Sequence, residues 1–223
     1  MDNISVELLS ATPLHIASHA IRECHASHDK SDNGGPKDQD LISRVGCKLK
    51  HASTLEHLNF SLAIKGISVA VLGQLTRHRL ASYTVQSTRY TTGKFLKDEE
   101  SFLFWDGSSR TDWHITDSNY DRAHKYLVFT DNGEVDSFNI FALDNCRKLA
   151  QANYSNDELR YALPQAWRTN LTMTINLRSL RNLLVLRTSS HTMLEFRKLA
   201  QLIYSAIPTE YHYLLEDCIN DFA

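Results

Sequence analysis

Apolar and polar residues alternate in three short stretches, and each alternation predicts a strand with one buried face. Ile4, Val6 and Leu8 mark the first; Leu58, Phe60, Leu62 and Ile64 mark the second, over 57–65. Leu171, Met173 and Ile175, interleaved with Thr172 and Thr174, mark the third, which runs into Asn176. Helical spacing fills much of the rest. Thr12-Pro13 opens a helix through Leu14, Ile16, Ala17, Ala20 and Ile21. A second helix is predicted from about residue 67, delivering Arg77-His78-Arg79 near its end. Phe138, Phe141, Ala142 and Leu149 predict another, and 178–221 reads as helices broken at Thr188-Ser189-Ser190 and Pro208. The segment 28–40, with Asn33-Gly34-Gly35-Pro36, reads as a loop. Between 91 and 135, Gly93, an Asp106-Gly107-Ser108-Ser109 turn and Asp131-Asn132-Gly133 punctuate short apolar pieces too brief to assign. With no repeat and no linker, the expected fold is α+β: one mixed domain over 1–223, with a central, largely antiparallel sheet flanked by helices.

Composition narrows the class. A chain of 223 residues, 42% of them hydrophobic, is long enough for one large core. A net charge of -2 argues against a protein that coats nucleic acid, which carries a basic excess. Cys24, Cys47, Cys146 and Cys218 are scattered without a CxxC pair, and Met1-Asp2-Asn3 does not begin a signal peptide. They read as reduced thiols, and the expected location is the cytoplasm. No apolar run approaches the length of a membrane span.

Within this ordinary composition, Arg77 to Tyr90 concentrates Arg77, Arg79, Arg89 and His78 with Ser82, Ser87, Thr88 and Gln86, while Gln74 lies just upstream. Arginine offers a planar fork of donors matched to phosphate and carboxylate, and it stays charged at working pH. The alternative is a helix end carrying solvated cations, which accounts for Arg77 and Arg79 but not for the polar run beyond. A second polar segment runs from Asn176 to Arg187. On a helix, Arg178 and Asn182 share a face, Asn176 sits at the helix start, and Arg187 lies about two and a half turns past Arg178. A plain amphipathic helix with solvated arginines explains that segment equally well.

Other chemistries find less footing. His51, Glu56 and His57 could bind a metal, but no further defined ligand is evident, and the pairs His15/His19 and His25/His28 are no better defined. No metal site is therefore expected. GxGxxG, GxxxxGK[ST] and GxSxG are absent, so any bound phosphate would fall to arginine side chains.

Arg77-His78-Arg79 followed by Ser82, Ser87 and Arg89-Tyr90 resembles the RHR…SxRY signature of flavin-dependent thymidylate synthases. Val6 to Leu9 with Thr12-Pro13, then Arg22, Cys24 and Ser27, resembles that family's N-terminal strand and helix. His51-Ala52-Ser53 with Leu55-Glu56-His57 resembles its HxTxxEH segment; Leu163-Pro164 and Asn176, Arg178, Asn182 and Arg187 resemble its C-terminal segment. The ordered set covers most of the chain.

The resemblance implies synthesis of dTMP from dUMP. 5,10-methylenetetrahydrofolate would be the carbon donor, reduced FAD the hydride source and NADPH the reductant. It implies FAD contacts from His51, Ser53, Arg77, His78, Arg79, Asn176, Arg178 and Asn182. It implies a dUMP set of Gln74, Arg77, Gln86, Ser87, Arg89, Arg160 and Arg187. Arg187 is the catalytic candidate, its guanidinium stabilising negative charge on the pyrimidine as C5 becomes nucleophilic. Ser87 and Arg89 would fix the phosphate, and Ser87 has no adjacent base that would make it a nucleophile. Many members carry glutamate where Val85 stands, so Val85 keeps an FAD contact only through its backbone. Ser53 replaces the usual threonine and retains the hydroxyl. Residues 92–135 match poorly and carry nothing over. The family's homotetrameric assembly, with active sites shared between subunits, is expected here. The competing readings are a nucleic-acid-binding module using 77–89 and a metal-dependent nucleotide hydrolase.

Overall fold

The computed structural model describes residues 3–105 and 113–220. In chain order its first half holds β1 (Ser5–Ala11), α1 (His15–Glu23), α2 (Pro36–Ile42), β2 (Asn59–Ser68), α3 (Val69–Leu75), β3 (Ala81–Val85) and α4 (Thr88–Leu96). There follow β4 (Phe104–Trp105), β5 (Trp113–His114), α5 (Asp117–Ala123), α6 (Gly133–Gln151), α7 (Asn156–Ala162), β6 (Arg168–Asn176), α8 (Leu177–Arg187) and α9 (Leu194–Ala206). The chain divides into two compact units. One, here the sheet unit, comprises Ile4–Lys65, Gln74–Thr84 and Leu171–Ala223; the other, the helical unit, comprises Met1–Asn3, Gly66–Gly73 and Val85–Asn170.

The main sheet runs in the order β1-β2-β6-β3. Its inner strand β2 keeps a period of two as far as Lys65: Phe60, Leu62 and Ile64 are buried, as are Leu171, Met173 and Ile175 of β6. β1 pairs antiparallel with β2, from Ser5 opposite Lys65 to Ala11 opposite Phe60. The register slips between Leu8 and Ser10, so Leu9 bulges outward and is exposed. β2 and β6 also run antiparallel, since the Leu177 amide meets the Leu58 carbonyl (2.7 Å) while Ser61 meets Thr174 (2.9 Å). Leu180, Leu183 and Leu184 of α8 and Phe196, Leu199 and Ile203 of α9 complete the core of this unit. The α+β class and the antiparallel pairing flanked by helices stand as expected.

Several local expectations need correction. The segment 28–40 is not a plain loop: a 3-10 turn spans His28–Lys30, and α2 begins at Pro36. Pro36 follows Gly35 at the helix start, a position whose amide would be unsatisfied anyway. The Asp32 carboxylate accepts from the Lys37 and Asp38 amides (2.8 and 3.0 Å), meeting the positive end of the new helix. A Cβ at Gly35 would stand 2.7 Å from that carboxylate, so glycine is needed for the approach. Asp38 in turn is buried against Arg22, accepting from Nη2 (2.6 Å) and Nε (3.0 Å). Burial alone would raise its carboxyl, but hydrogen bonds from Ser31, the Gly34 amide and Arg22 hold it well below the usual carboxylate range.

Strand β2 continues through Ser68, so α3 begins at Val69 rather than near 67 and closes at Leu75. Arg77-His78-Arg79 thus lie beyond the helix, in the turn that leads to β3. In the helical unit α6 forms where Phe138 to Leu149 predict it, but Phe138 points outward (77% exposed) and Ile140, Leu143, Cys146 and Ala150 face inward. The described parts of 91–135 are built of short elements tied by polar contacts. Asp144 accepts from the Phe102 amide (3.0 Å) and Arg147 (2.8 Å), and Glu99 accepts from Arg122, Lys125 and Tyr126. The Asp106 to Ser109 turn lies outside the described residues. All four cysteines are free thiols, in line with their spacing.

Candidate active site

In the sheet unit a cavity of about 590 Å³ is lined by Arg77, His78, Arg79, Leu80, Arg178, Ser179, Asn182, Leu186 and Arg187. The turn after α3 supplies the first four, and α8 supplies the rest. Tyr83 on β3 fixes the turn, its hydroxyl lying 2.9 Å from both the Leu75 and the His78 carbonyls. Burial pushes that phenol up to about 12, so it stays a donor. Helix α8 is started by Asn176, whose side chain accepts from the Ser179 amide (2.9 Å). Such a cap satisfies one of the free amides of the first turn. Asn176 therefore sits at the helix start, and Arg178 and Asn182 share the cavity face.

Among the described residues no carboxylate lines this cavity, whereas Arg77, Arg79, Arg178 and Arg187 all do. Its donor set suits an anion with several oxygens. Arg178 Nη1 reaches Glu56 Oε1 (2.6 Å), tying α8 to the 3-10 turn Ala52–His57. Arg187 is held differently. Its Nε donates to His78 Nε2 (3.2 Å), its Nη1 donates to Gln74 Oε1 (3.2 Å), and its guanidinium lies over the Phe196 ring, 4.5 Å from the centroid. Phe196 is fully buried and also meets His78 edge-on at 6.2 Å. Burial, and then the Arg187 charge, lower the His78 imidazole from its ordinary value. His78 is consequently neutral at working pH, with Nε2 as the acceptor and the proton on Nδ1. Burial and the nearby Arg77 lower Arg187 as well, yet a guanidinium keeps its charge at any working pH.

His51 and Ser53 line a second cavity of the same unit, about 410 Å³, with Ile21, Cys24, His25, Leu41, Arg44, Val45, Leu49 and Thr54. Val85, Gln86, Ser87, Arg89 and Arg160 belong to the helical unit. Val85 ends β3 and Gln86 follows it, accepting from Asn170 Nδ2 (2.8 Å). Ser87 immediately precedes α4, without a side-chain capping bond, and is exposed; Arg89 pairs with Asp157 of α7 (3.1 Å), and Arg160 lies exposed on α7. The structure thus brings Gln74, Arg77, His78, Arg79, Arg178, Asn182 and Arg187 together and leaves Gln86, Ser87, Arg89 and Arg160 in the other unit.

Sequence reasoning missed Phe196, Glu56 and Tyr83 as partners of this cavity. Only Glu56 carried a local signal, through its place in the His51 to His57 segment. Two of the thiols are poor nucleophiles: burial pushes Cys146 up to about 11 and Cys218 up to about 12.

A family model described as thymidylate synthase complementing protein matches residues 7–210. The chain is 46% identical over 210 residues to a flavin-dependent thymidylate synthase of Helicobacter pylori, covering 94% of this chain and 96% of that protein. It is 44% identical over 217 residues to one from Campylobacter jejuni, covering 97% and 98%. A crystal structure of thymidylate synthase X from Helicobacter pylori with FAD and dUMP superposes with a TM-score of 0.89 at 44% identity, covering 97% of this chain and 99% of that one. The chain belongs to the flavin-dependent thymidylate synthase family. The nucleic-acid-binding and metal-hydrolase readings find no support among these relatives.

Proposed function

We propose that this chain makes dTMP from dUMP, taking the carbon from 5,10-methylenetetrahydrofolate and using NADPH to reduce FAD. The observation that carries the reading is the cationic cavity in which Arg77, His78 and Arg79 meet Arg178, Asn182 and Arg187 without a lining carboxylate. Arg77, His78, Arg79, Arg178 and Asn182 fit a dinucleotide cofactor: Arg77, Arg79 and Arg178 match its phosphates, and Asn182 and Ser179 add neutral donors. His51, Ser53, Asn176 and the Val85 backbone are proposed as further FAD contacts. Bound and reduced, FAD supplies the hydride that converts the transferred methylene to a methyl group.

The protein's own contribution is alignment and charge. Arg187 stabilises the ionised pyrimidine of dUMP, and its fixed pose means little reorganisation as that charge grows. Gln74 and His78 set the plane of the guanidinium through two hydrogen bonds. Arg77 and Gln86 complete the nucleotide contacts, while Ser87, Arg89 and Arg160 hold the phosphate; Ser87 binds and does not attack. The assembly proposed is a homotetramer whose active sites draw on more than one subunit, and the location proposed is the cytoplasm. Among the described residues no helix is long and apolar enough to cross a membrane.

A flavin spectrum of the purified protein tests this reading, followed by anaerobic NADPH with and without dUMP. Bleaching of bound flavin, and dTMP formation once the folate is added, are expected. A protein that stays colourless after incubation with FAD would sink the proposal.

A further inference from the structure

On α1, His19 and Glu23 are spaced four apart and share a face. The chain then reverses through Ala26, whose φ of +45° lies in the left-handed region, and brings His28 back to that face. His28 Nε2 lies 2.8 Å from Glu23 Oε2, and His19 Nε2 lies 3.9 Å from the same oxygen. The two imidazoles are 4.4 Å apart with their planes at 34°, and all three donor atoms fall within 4.8 Å of one another. In a tetrahedral zinc site with bonds of about 2.0–2.1 Å, neighbouring donors stand about 3.3 Å apart. The two observed separations bracket that edge.

We infer that His19, Glu23 and His28 form a binding site for a divalent transition ion of the zinc class, with water filling the open position. Two imidazoles and one carboxylate suit zinc better than magnesium or calcium, which favour all-oxygen shells. The frame that places His28 exists without the ion. Buried Arg22, one residue before Glu23, holds Asp38 with two nitrogens and reaches the Ser27 carbonyl with a third (3.4 Å). The turn is thereby tied to α1, and only exposed side-chain rotamers need adjust. The ion is a clip and not a catalyst. It would pin residues 24–28, and Cys24 and His25 line the cavity that also holds His51 and Ser53.

The full-length protein, stripped with a chelator, is titrated with Co²⁺ as a spectroscopic stand-in and then with Zn²⁺. Saturable ligand-field absorption at one ion per chain, displaced by Zn²⁺, is expected. His19→Ala, His28→Ala and Glu23→Gln should each weaken binding by ~10-fold or more, a loss that even partners of ligands can produce. His191→Ala, an exposed histidine on another segment, should bind as the unaltered chain does. Zn²⁺ should also raise the thermal midpoint of the unaltered protein but not of the His19→Ala/His28→Ala double variant. Absence of a saturable site, or an equal affinity or equal thermal shift in the double variant, would overturn the inference.

Discussion

Arg187 in the sheet unit and Arg89 in the helical unit are both proposed to bind dUMP, yet they are held in different ways. Arg187 is held by a neutral imidazole, a neutral amide and an aromatic face. Arg89 is held by the Asp157 carboxylate in an exposed pair, 58% and 55% accessible. A guanidinium supported only by neutral groups keeps its whole charge for an anion that grows during reaction. One already paired must exchange its carboxylate for the ligand, and in water that exchange costs little because the pair contributes little. The first arrangement suits electrostatic catalysis and the second suits reversible grip on a phosphate.

The sharpest break of this contrast is Arg187→Ala. It should keep FAD and lose about 3 kcal/mol of barrier lowering, a rate loss on the order of a hundredfold. Single-turnover dTMP formation checks it, and near-normal turnover would remove Arg187 from its role. Next comes the support beneath it: Phe196→Leu should lower kcat ~10-fold, the loss of about 1–2 kcal/mol expected when a desolvated cation loses an aromatic face. Phe196→Tyr should retain most of the rate, and equal loss in both variants would argue against the ring's part in alignment.

A third effect is pH dependence. His78 has a folded value below its ordinary 6.5, so the unfolded chain binds more protons than the folded one in the window beneath 6.5. Stability from this group is therefore fully present above 6.5 and is lost as pH falls through that window. Protonation would also remove the acceptor for Arg187 Nε, so the acid limb of kcat should have its midpoint below 6.5. A pH–rate profile in which His78→Gln keeps that limb unchanged would assign it to another group. The smallest effects belong to the helical unit. Ser87→Ala should weaken dUMP affinity several-fold and leave residual turnover, readable as KM against kcat. Complete loss of turnover with intact dUMP binding would instead revive a covalent role.

The sheet was legible in the sequence because β2 and β6 bury every second residue, a pattern that survives without knowledge of neighbours. So was the start of α8, because Asn176 acts within its own turn. The helix at Pro36 was not, since Gly-Gly-Pro punctuates loops and opens helices alike, and the deciding contacts come from Asp32 and Arg22. Residues 91–135 were opaque for the same reason: Glu99 holds Arg122, Lys125 and Tyr126, and Asp144 holds Phe102, across separations of more than twenty residues. In the site, the arginines announced themselves by density and resemblance. Phe196 did not, because its partner Arg187 lies on a different helix and nothing in a buried phenylalanine signals a cation above it.

The pair between Arg178 and Glu56 has a consequence for affinity. Were an anion to draw Arg178 away from Glu56, the turn carrying Ser53 would lose that tie to α8, and the two cavities of the sheet unit would be thermodynamically linked by the little that so exposed a pair contributes. Linkage is reciprocal: whatever factor a ligand in one cavity imposes on the other, the second imposes on the first. Flavin loading should then respond to whatever fills the pocket beside His51, with Glu56→Gln uncoupling the two affinities.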